Sequence, residues 1–274
     1  MSIARVAVAM PGKIGDSLYT LSAIREIAKQ YGPVDFYTSA YCEPIRPLFE
    51  YQDCINKVII PENYRVLRMD MGVQPAYMSI PEGYERTFQL GYRSIPEISL
   101  PEHFCLLAGV PFNGVEYQTP EPYFSPSGGW FPYVCIAPRG GSTWDSTFRE
   151  VAERAGIHII IIGAKGDYTG YGRDYTGLDL LETAKLIKHS HGFIGLGSAM
   201  LVLANGNPNI PKIVPHHGYE YDMRHFVYGE KNYYLTNPTA DAILELIPTI
   251  RQLWDEGMLR LSAAIEKINK EHNA

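Results

Sequence analysis

The chain alternates between short continuous apolar runs and stretches of helical spacing, and it does so twice. Residues 3–10 form the first run, with Arg5 as its one polar residue, and Pro11-Gly12 closes it. A run of this length bounded by turn residues predicts a buried strand. Residues 11–17 predict a glycine-bearing turn. Leu18, Leu21, Ile24, Ile27 and Ala28 then recur at helical spacing, so 18–30 predicts a helix that ends at Gly32-Pro33. Residues 34–38 predict a second strand. Strand, loop, helix, strand is the unit of a parallel sheet covered by helices.

The pattern then weakens. Prolines at 44, 47, 61, 75, 81, 96 and 101 interrupt it, leaving short strands predicted at 57–60 and 64–69 and a helix at 101–110. Pro120, Pro122, Pro126, Gly128, Gly129 and Pro132 make 120–132 the natural linker. Beyond it the same grammar resumes. Strands are predicted at 133–137, 157–162, 192–195 and 212–214. Helices are predicted at 146–155, 178–188, 198–204 and 240–247. Ile250, Leu253, Trp254, Leu261, Ala264, Ile265 and Ile268 predict a long amphipathic helix over 250–270 that packs on the body. The expected units are 1–125, 126–248 and 249–274.

Composition narrows the classes. Apolar residues are 46% of 274 and charged residues 20%, enough for a packed core. The net charge of −6 argues against a general nucleic-acid coat, although Arg65, Arg68, Arg86 and Arg93 supply cations for a local groove. No run approaches the roughly 20 apolar residues of a membrane span, and 3–10 is too short for a signal peptide. Cys42, Cys54, Cys105 and Cys135 form no CxxC pair, which signals neither zinc nor a dithiol and suits a reducing cytoplasm.

In parallel sheets, ligands bind at the carboxyl ends of strands. That directs attention to the loops at 12–17, 138–144 and 195–198. Asp16 has two readings: a base that takes a proton from a hydroxyl, or a helix cap. Arg139, Gly140, Gly141, Ser142 and Thr143 combine a bidentate cation with glycines that admit a phosphate, and they read equally as an ordinary turn. Gly197, Ser198 and Ala199 open a helix whose N-terminus favours an anion. His216 and His217 follow a strand and read as ligand contacts or loop residues. No third ligand is placed by spacing, so no metal is expected. Met200 stands where the third glycine of a dinucleotide fingerprint belongs, and no P-loop is present. This weighs against a dinucleotide-dependent oxidoreductase.

Residues 12–25, Gly-Lys-Ile-Gly-Asp-Ser-Leu-Tyr-Thr-Leu-Ser-Ala-Ile-Arg, resemble the opening of the heptosyltransferases (glycosyltransferase family 9). There the first strand leads into an Ile-Gly-Asp turn and a helix. Residues 136–144 resemble the family's His-Pro-Gly-Ala-Ser loop, and 159–163, ending at Gly163, resemble its Val-Leu-Gly strand end. Residues 176–187 resemble its Thr-x-Leu-x-Glu-Leu-Ala helix, and 194–199 its Gly-Asn-Asp-Ser-Gly turn.

The resemblance implies an α/β GT-B architecture: two facing Rossmann-like domains with parallel sheets and a C-terminal helix crossing back to the first. It implies sugar transfer from a nucleotide-sugar donor to an acceptor hydroxyl, inverting, with no required metal or cofactor. Asp16 would be the base. Arg139, Gly140, Gly141, Ser142, Thr143, Gly163, Gly197, Ser198, Ala199, His216 and His217 would hold the donor. Lys13, Gly15 and Ser17 would lie on the acceptor side. A glycan or a modified base of viral DNA fits as acceptor. Gly197 and Val202 stand where the family signature has Asp and His, and Trp144-Asp145-Ser146 follow where it has a lysine. These departures motivate an alternative: a non-catalytic nucleotide or nucleotide-sugar binder on the same fold.

Overall fold

The structure is a computed structural model that describes residues 5–64, 77–92, 96–121, 132–139, 143–218, 231–249 and 252–253. Strand β1 (Val6–Met10) is buried throughout because it runs inside a four-stranded parallel sheet. Its partners are β2 (Val34–Thr38) and β4 (Arg86–Gln89), and β3 (Ile55–Ile59) completes the order β3-β2-β1-β4. Val6, Val8 and Met10 enter the main core, while Ala7 and Ala9 face Tyr37 and Met78 on the other side. This is the period-two alternation of a strand covered on both faces.

Helix α1 (Ile14–Tyr19) follows β1, and after a break at Thr20 helix α2 (Leu21–Tyr31) runs back to β2. The sequence predicts a turn through Ser17, yet the helix begins at Ile14. The Asp16 carboxylate explains the early start. It accepts the Lys13 N–H at 3.1 Å, so an otherwise orphaned donor at the helix start is satisfied. Gly32, at φ 88, ends α2 in a backbone conformation that favours glycine.

A 3-10 turn (Ala40–Ile45) and helices α3 (Arg46–Glu50) and α4 (Leu100–Ala108) complete this half. Sequence periodicity misses α3, which is too short to show a period, and β4, an edge strand whose residues are exposed or half-buried. Of the strand expected at 64–69, Tyr64 closes a 3-10 turn (Glu62–Tyr64), and the rest lies outside the described residues.

The second sheet is parallel throughout. It contains β5 (Tyr133–Ala137), β6 (His158–Ile161), β7 (Arg173–Asp174), β8 (Phe193–Gly195), β9 (Lys212–His216) and β10 (Asn232–Thr236), in the order β10-β9-β8-β5-β6-β7. Helices α5 (Asp145–Arg154) and α8 (Ala240–Leu244) cover the face of Ile136, Ile161, Ile194 and Ile213. Helices α6 (Leu180–Lys188) and α7 (Ala199–Asn205) cover the face of Cys135, Ile160, Phe193 and Val214. That second core is continuous with the core of the first sheet. The edge strands escape the sequence reading: β7 has two residues, and β10, Asn-Tyr-Tyr-Leu-Thr, is bounded by polar residues and half-buried or exposed throughout.

Across the junction α1 packs on α7 and α3 on α6. Tyr117 bolts the same seam. Its hydroxyl donates to the Leu203 carbonyl at 2.7 Å, in the last turn of α7, where that carbonyl also accepts the Gly206 N–H. A Cβ on Gly206 would lie 2.1 Å from the Tyr117 ring, so only glycine leaves room for it. The expected linker 120–132 lies mostly outside the described residues, as does the expected helix 250–270 apart from residues 252–253, which are helical. Among the described residues, no helix is long and apolar enough to cross a membrane.

Candidate functional site

Parallel strands send all their carboxyl ends to one edge of each sheet. In the first sheet that edge carries the Pro11–Lys13 turn after β1 and Leu90-Gly91-Tyr92 after β4. In the second it carries the segments after β5, β6, β8 and β9, which hold Arg139 and Thr143, Gly163, Gly197 and Ser198, and His217.

Asp16 sits in the first turn of α1 with 6% exposure. Its carboxylate accepts the Lys13 N–H on Oδ2 and the Tyr92 hydroxyl on Oδ1, each at 3.1 Å. The capping role weighed from the sequence is therefore present, with Asp16 inside the first turn rather than before it. Tyr92 packs its ring against His103 and Phe104, with centroids 6.4 Å and 6.1 Å away. Burial pulls the His103 imidazole below its ordinary value.

Ser17 is fully buried. It donates to Cys42 Sγ at 3.4 Å, and Cys42 in turn donates to the Gly12 carbonyl at 3.1 Å. Burial pushes the Cys42 thiol up, so it stays protonated as a donor. Ser17 and Cys42 thus pin the turn from behind. Lys13 is half-buried at the start of α1.

Gly15 brings this turn against the second sheet. A Cβ at Gly15 would lie 3.5 Å from Val202 Cγ2 and 3.9 Å from Ala199 Cα. Ser198 begins α7, its Oγ accepting the Met200 N–H at 3.3 Å. Gly15 therefore meets the first turn of α7 at Ala199 and Val202, and Gly197, just before that helix, is exposed.

A second cluster flanks that junction. Thr143 Oγ1 and His217 Nε2 are 2.8 Å apart, and His217 Nδ1 donates to Asn237 Oδ1 at 3.0 Å. The His217 ring stacks on Trp144 with centroids 4.7 Å apart and planes 18° from parallel. Because β8 lies between β5 and β9, the Thr143–His217 contact spans the end of β8, whose own loop leads to Ser198. His216 accepts the Gly218 N–H at 3.0 Å and lies 3.3 Å from Thr236 Oγ1. Both histidines tie loops together.

Arg139 is exposed and takes φ 51, a left-handed conformation uncommon outside glycine. Gly140, Gly141 and Ser142 lie outside the described residues. Gly163, at φ 145, has a local reason to be glycine. A Cβ there would lie 2.6 Å from Asp167 Oδ2, which accepts the Ala164 N–H at 2.8 Å. Among the described residues, no three His, Cys, Asp or Glu side chains are grouped to hold a metal.

Sequence reasoning misses Tyr92, Cys42 and Asn237. Tyr92 follows a strand with no legible pattern, and Cys42 reads only as a scattered thiol. Asn237 follows β10, which is equally silent; its φ of 47 is visible only in the structure.

No protein-family model matches the chain, and no curated protein matches it by sequence. Solved structures do resemble it. Escherichia coli ADP-heptose LPS heptosyltransferase II shares 13% identity over 88% of this chain and 96% of its own, at a TM-score of 0.64. E. coli heptosyltransferase WaaC, solved with ADP-2-deoxy-2-fluoro heptose, shares 14% over 92% of this chain and 99% of its own, at 0.61. A family 9 glycosyltransferase from Veillonella parvula shares 13% over 86% of this chain and 87% of its own, at 0.62. The two parallel α/β sheets of this chain are those of the GT-B fold that the sequence resemblance implies.

Proposed function

We propose that the chain is a GT-B glycosyltransferase that moves a sugar from a nucleotide-sugar donor to an acceptor hydroxyl with inversion. The seat of Asp16 supports this reading: a carboxylate at the carboxyl edge of the first sheet, held by the Lys13 N–H and the Tyr92 hydroxyl, on the helix whose Gly15 packs against Ala199 and Val202 of α7. Structures sharing this fold are named for heptosyl and glycosyl transfer, and one holds an ADP-sugar analogue.

In the proposed reaction the acceptor hydroxyl gives its proton to Asp16 as its oxygen bonds to the anomeric carbon. The bond from that carbon to the diphosphate oxygen breaks on the opposite face. The nucleoside diphosphate leaves with the electron pair. Arg139, residues 140–143 and the start of α7 at Gly197–Ala199 would meet its charge. His216 and His217 would serve the donor by fixing the loops around it, and Gly163 by shaping the turn after β6. Lys13 and Gly15 would border the acceptor, with Ser17 bracing the turn. The reading requires neither metal nor cofactor and places the chain in the cytoplasm. A glycan acceptor suits the net charge of −6 better than DNA does.

The alternative, a non-catalytic nucleotide-sugar binder, is favoured by the 6% exposure of Asp16 and by Val202 lying on Gly15 where the resembled family has histidine. A thermal-shift panel of UDP-, GDP-, ADP-, CMP- and dTDP-sugars tests what both readings share. A donor at about 100 times its Kd adds roughly 2.7 kcal/mol of stability. A selective shift is expected. No shift from any donor, with or without acceptor extract, would sink both readings. A shift with no sugar transfer favours the binder.

A further inference from the structure

Resting on the reading of Asp16 as the base, we infer that Tyr92 is a positioning residue that holds the Asp16 carboxylate at its working angle. The two anchors of this carboxylate differ in kind. The Lys13 N–H lies three residues away in the same turn, and any helix of this sort makes that bond. The Tyr92 hydroxyl comes from 76 residues away, on the loop after β4, and crosses the carboxyl edge of the sheet to reach Oδ1 at 3.1 Å.

The bond from the turn falls on Oδ2. The second bond, on the other oxygen, fixes its plane. The phenol is itself fixed. Its ring lies edge-on to His103 and tilted against Phe104, so its hydroxyl has little freedom. Each carboxylate oxygen has two lone pairs, so a bond from Tyr92 on Oδ1 does not fill that oxygen. Tyr92 transfers no proton in this scheme. The acceptor proton ends on Asp16, and the phenol stays protonated as a donor throughout. The gain is orientation: a base held within a near-attack geometry works faster than one that rotates.

The test measures nucleotide release from an equimolar mixture of UDP-, GDP-, ADP-, CMP- and dTDP-sugars, with water as acceptor. Wild type, Tyr92→Phe and Asp16→Asn are compared. Tyr92→Phe keeps the ring and removes only the hydroxyl; circular dichroism checks its fold. Its kcat is expected to fall about tenfold with KM unchanged, the loss of one hydrogen bond to a charged group. A p-aminophenylalanine at position 92, which restores an N–H donor, is expected to recover most of that loss.

Tyr92→Phe at the wild-type rate beside an inactive Asp16→Asn overturns this inference alone. So does a loss confined to KM, or a p-amino variant no better than Phe. A wild type that releases nothing, or an Asp16→Asn variant as fast as wild type, overturns the reading of Asp16 and this inference with it.

Discussion

The Tyr19 hydroxyl accepts a hydrogen bond from Asn205 Nδ2 at 3.1 Å across 186 residues of chain. Tyr19 closes the helix that carries Asp16, and Asn205 closes the helix that Ser198 begins. One buried bond thus ties the far ends of the two helices whose near ends form the candidate site. Both side chains are almost fully buried, and burial drives the Tyr19 phenol far above its ordinary range, so it remains neutral. Tyr19→Phe would strand the Asn205 amide away from water. The expected loss is about 1–3 kcal/mol in urea unfolding. A double-mutant cycle with Asn205→Ala should show a coupling of about 1 kcal/mol; additive losses would mean that the bond does not tie the two halves.

Arg139 carries strain where a phosphate would bind. Its left-handed backbone costs a non-glycine residue about 1–2 kcal/mol. Arg139→Gly relieves that strain and removes the guanidinium. Stability is expected to stay within about 1 kcal/mol of wild type or to rise, while donor affinity falls about tenfold. Urea melts paired with donor titrations check both halves. Unchanged affinity would return Arg139 to the role of a turn residue.

Lys212 is a buried cation in β9, its Nζ donating to the Ile210 carbonyl at 2.9 Å. Burial, and then the neighbouring Lys231, push it down from 10.5 to about 8. Between those values the unfolded chain binds more protons than the folded one, so this group makes stability rise with pH from about 8 to about 10.5. Below that window its penalty is fully present. Lys212→Met is expected to add about 2 kcal/mol at pH 7. Its advantage over wild type should shrink as pH climbs past 8. Denaturant melts at pH 7 and pH 10 decide it, and an advantage equal at both values would contradict the assignment.

Legibility followed burial. β1, β5 and β6 lie inside their sheets, so their sequences are apolar runs that announce themselves. β4, β7 and β10 lie at edges, where exposed and half-buried positions admit Arg, Asp, Asn and Thr. The site divides the same way. Asp16 and Ser198 are legible because each lies in the segment that follows a readable strand and leads into a helix. Tyr92 and Asn237 are not, because each follows an edge strand and acts through a contact that no local spacing encodes. The sequence puts both histidines after a strand at 212–214; β9 runs on through His216, and the hydrogen bonds of the pair to Thr143, Asn237 and their own turn are visible only in three dimensions.

The central claim is that Asp16 takes the acceptor's proton. Its most direct test is nucleotide release by Asp16→Asn against wild type, on the donor that gives the largest thermal shift, with that shift measured for both proteins. The account predicts a shift of similar size and a rate about 10²–10⁴-fold lower in the variant. A variant that binds the donor and turns it over at the wild-type rate would contradict it, leaving Asp16 as the cap of its own helix.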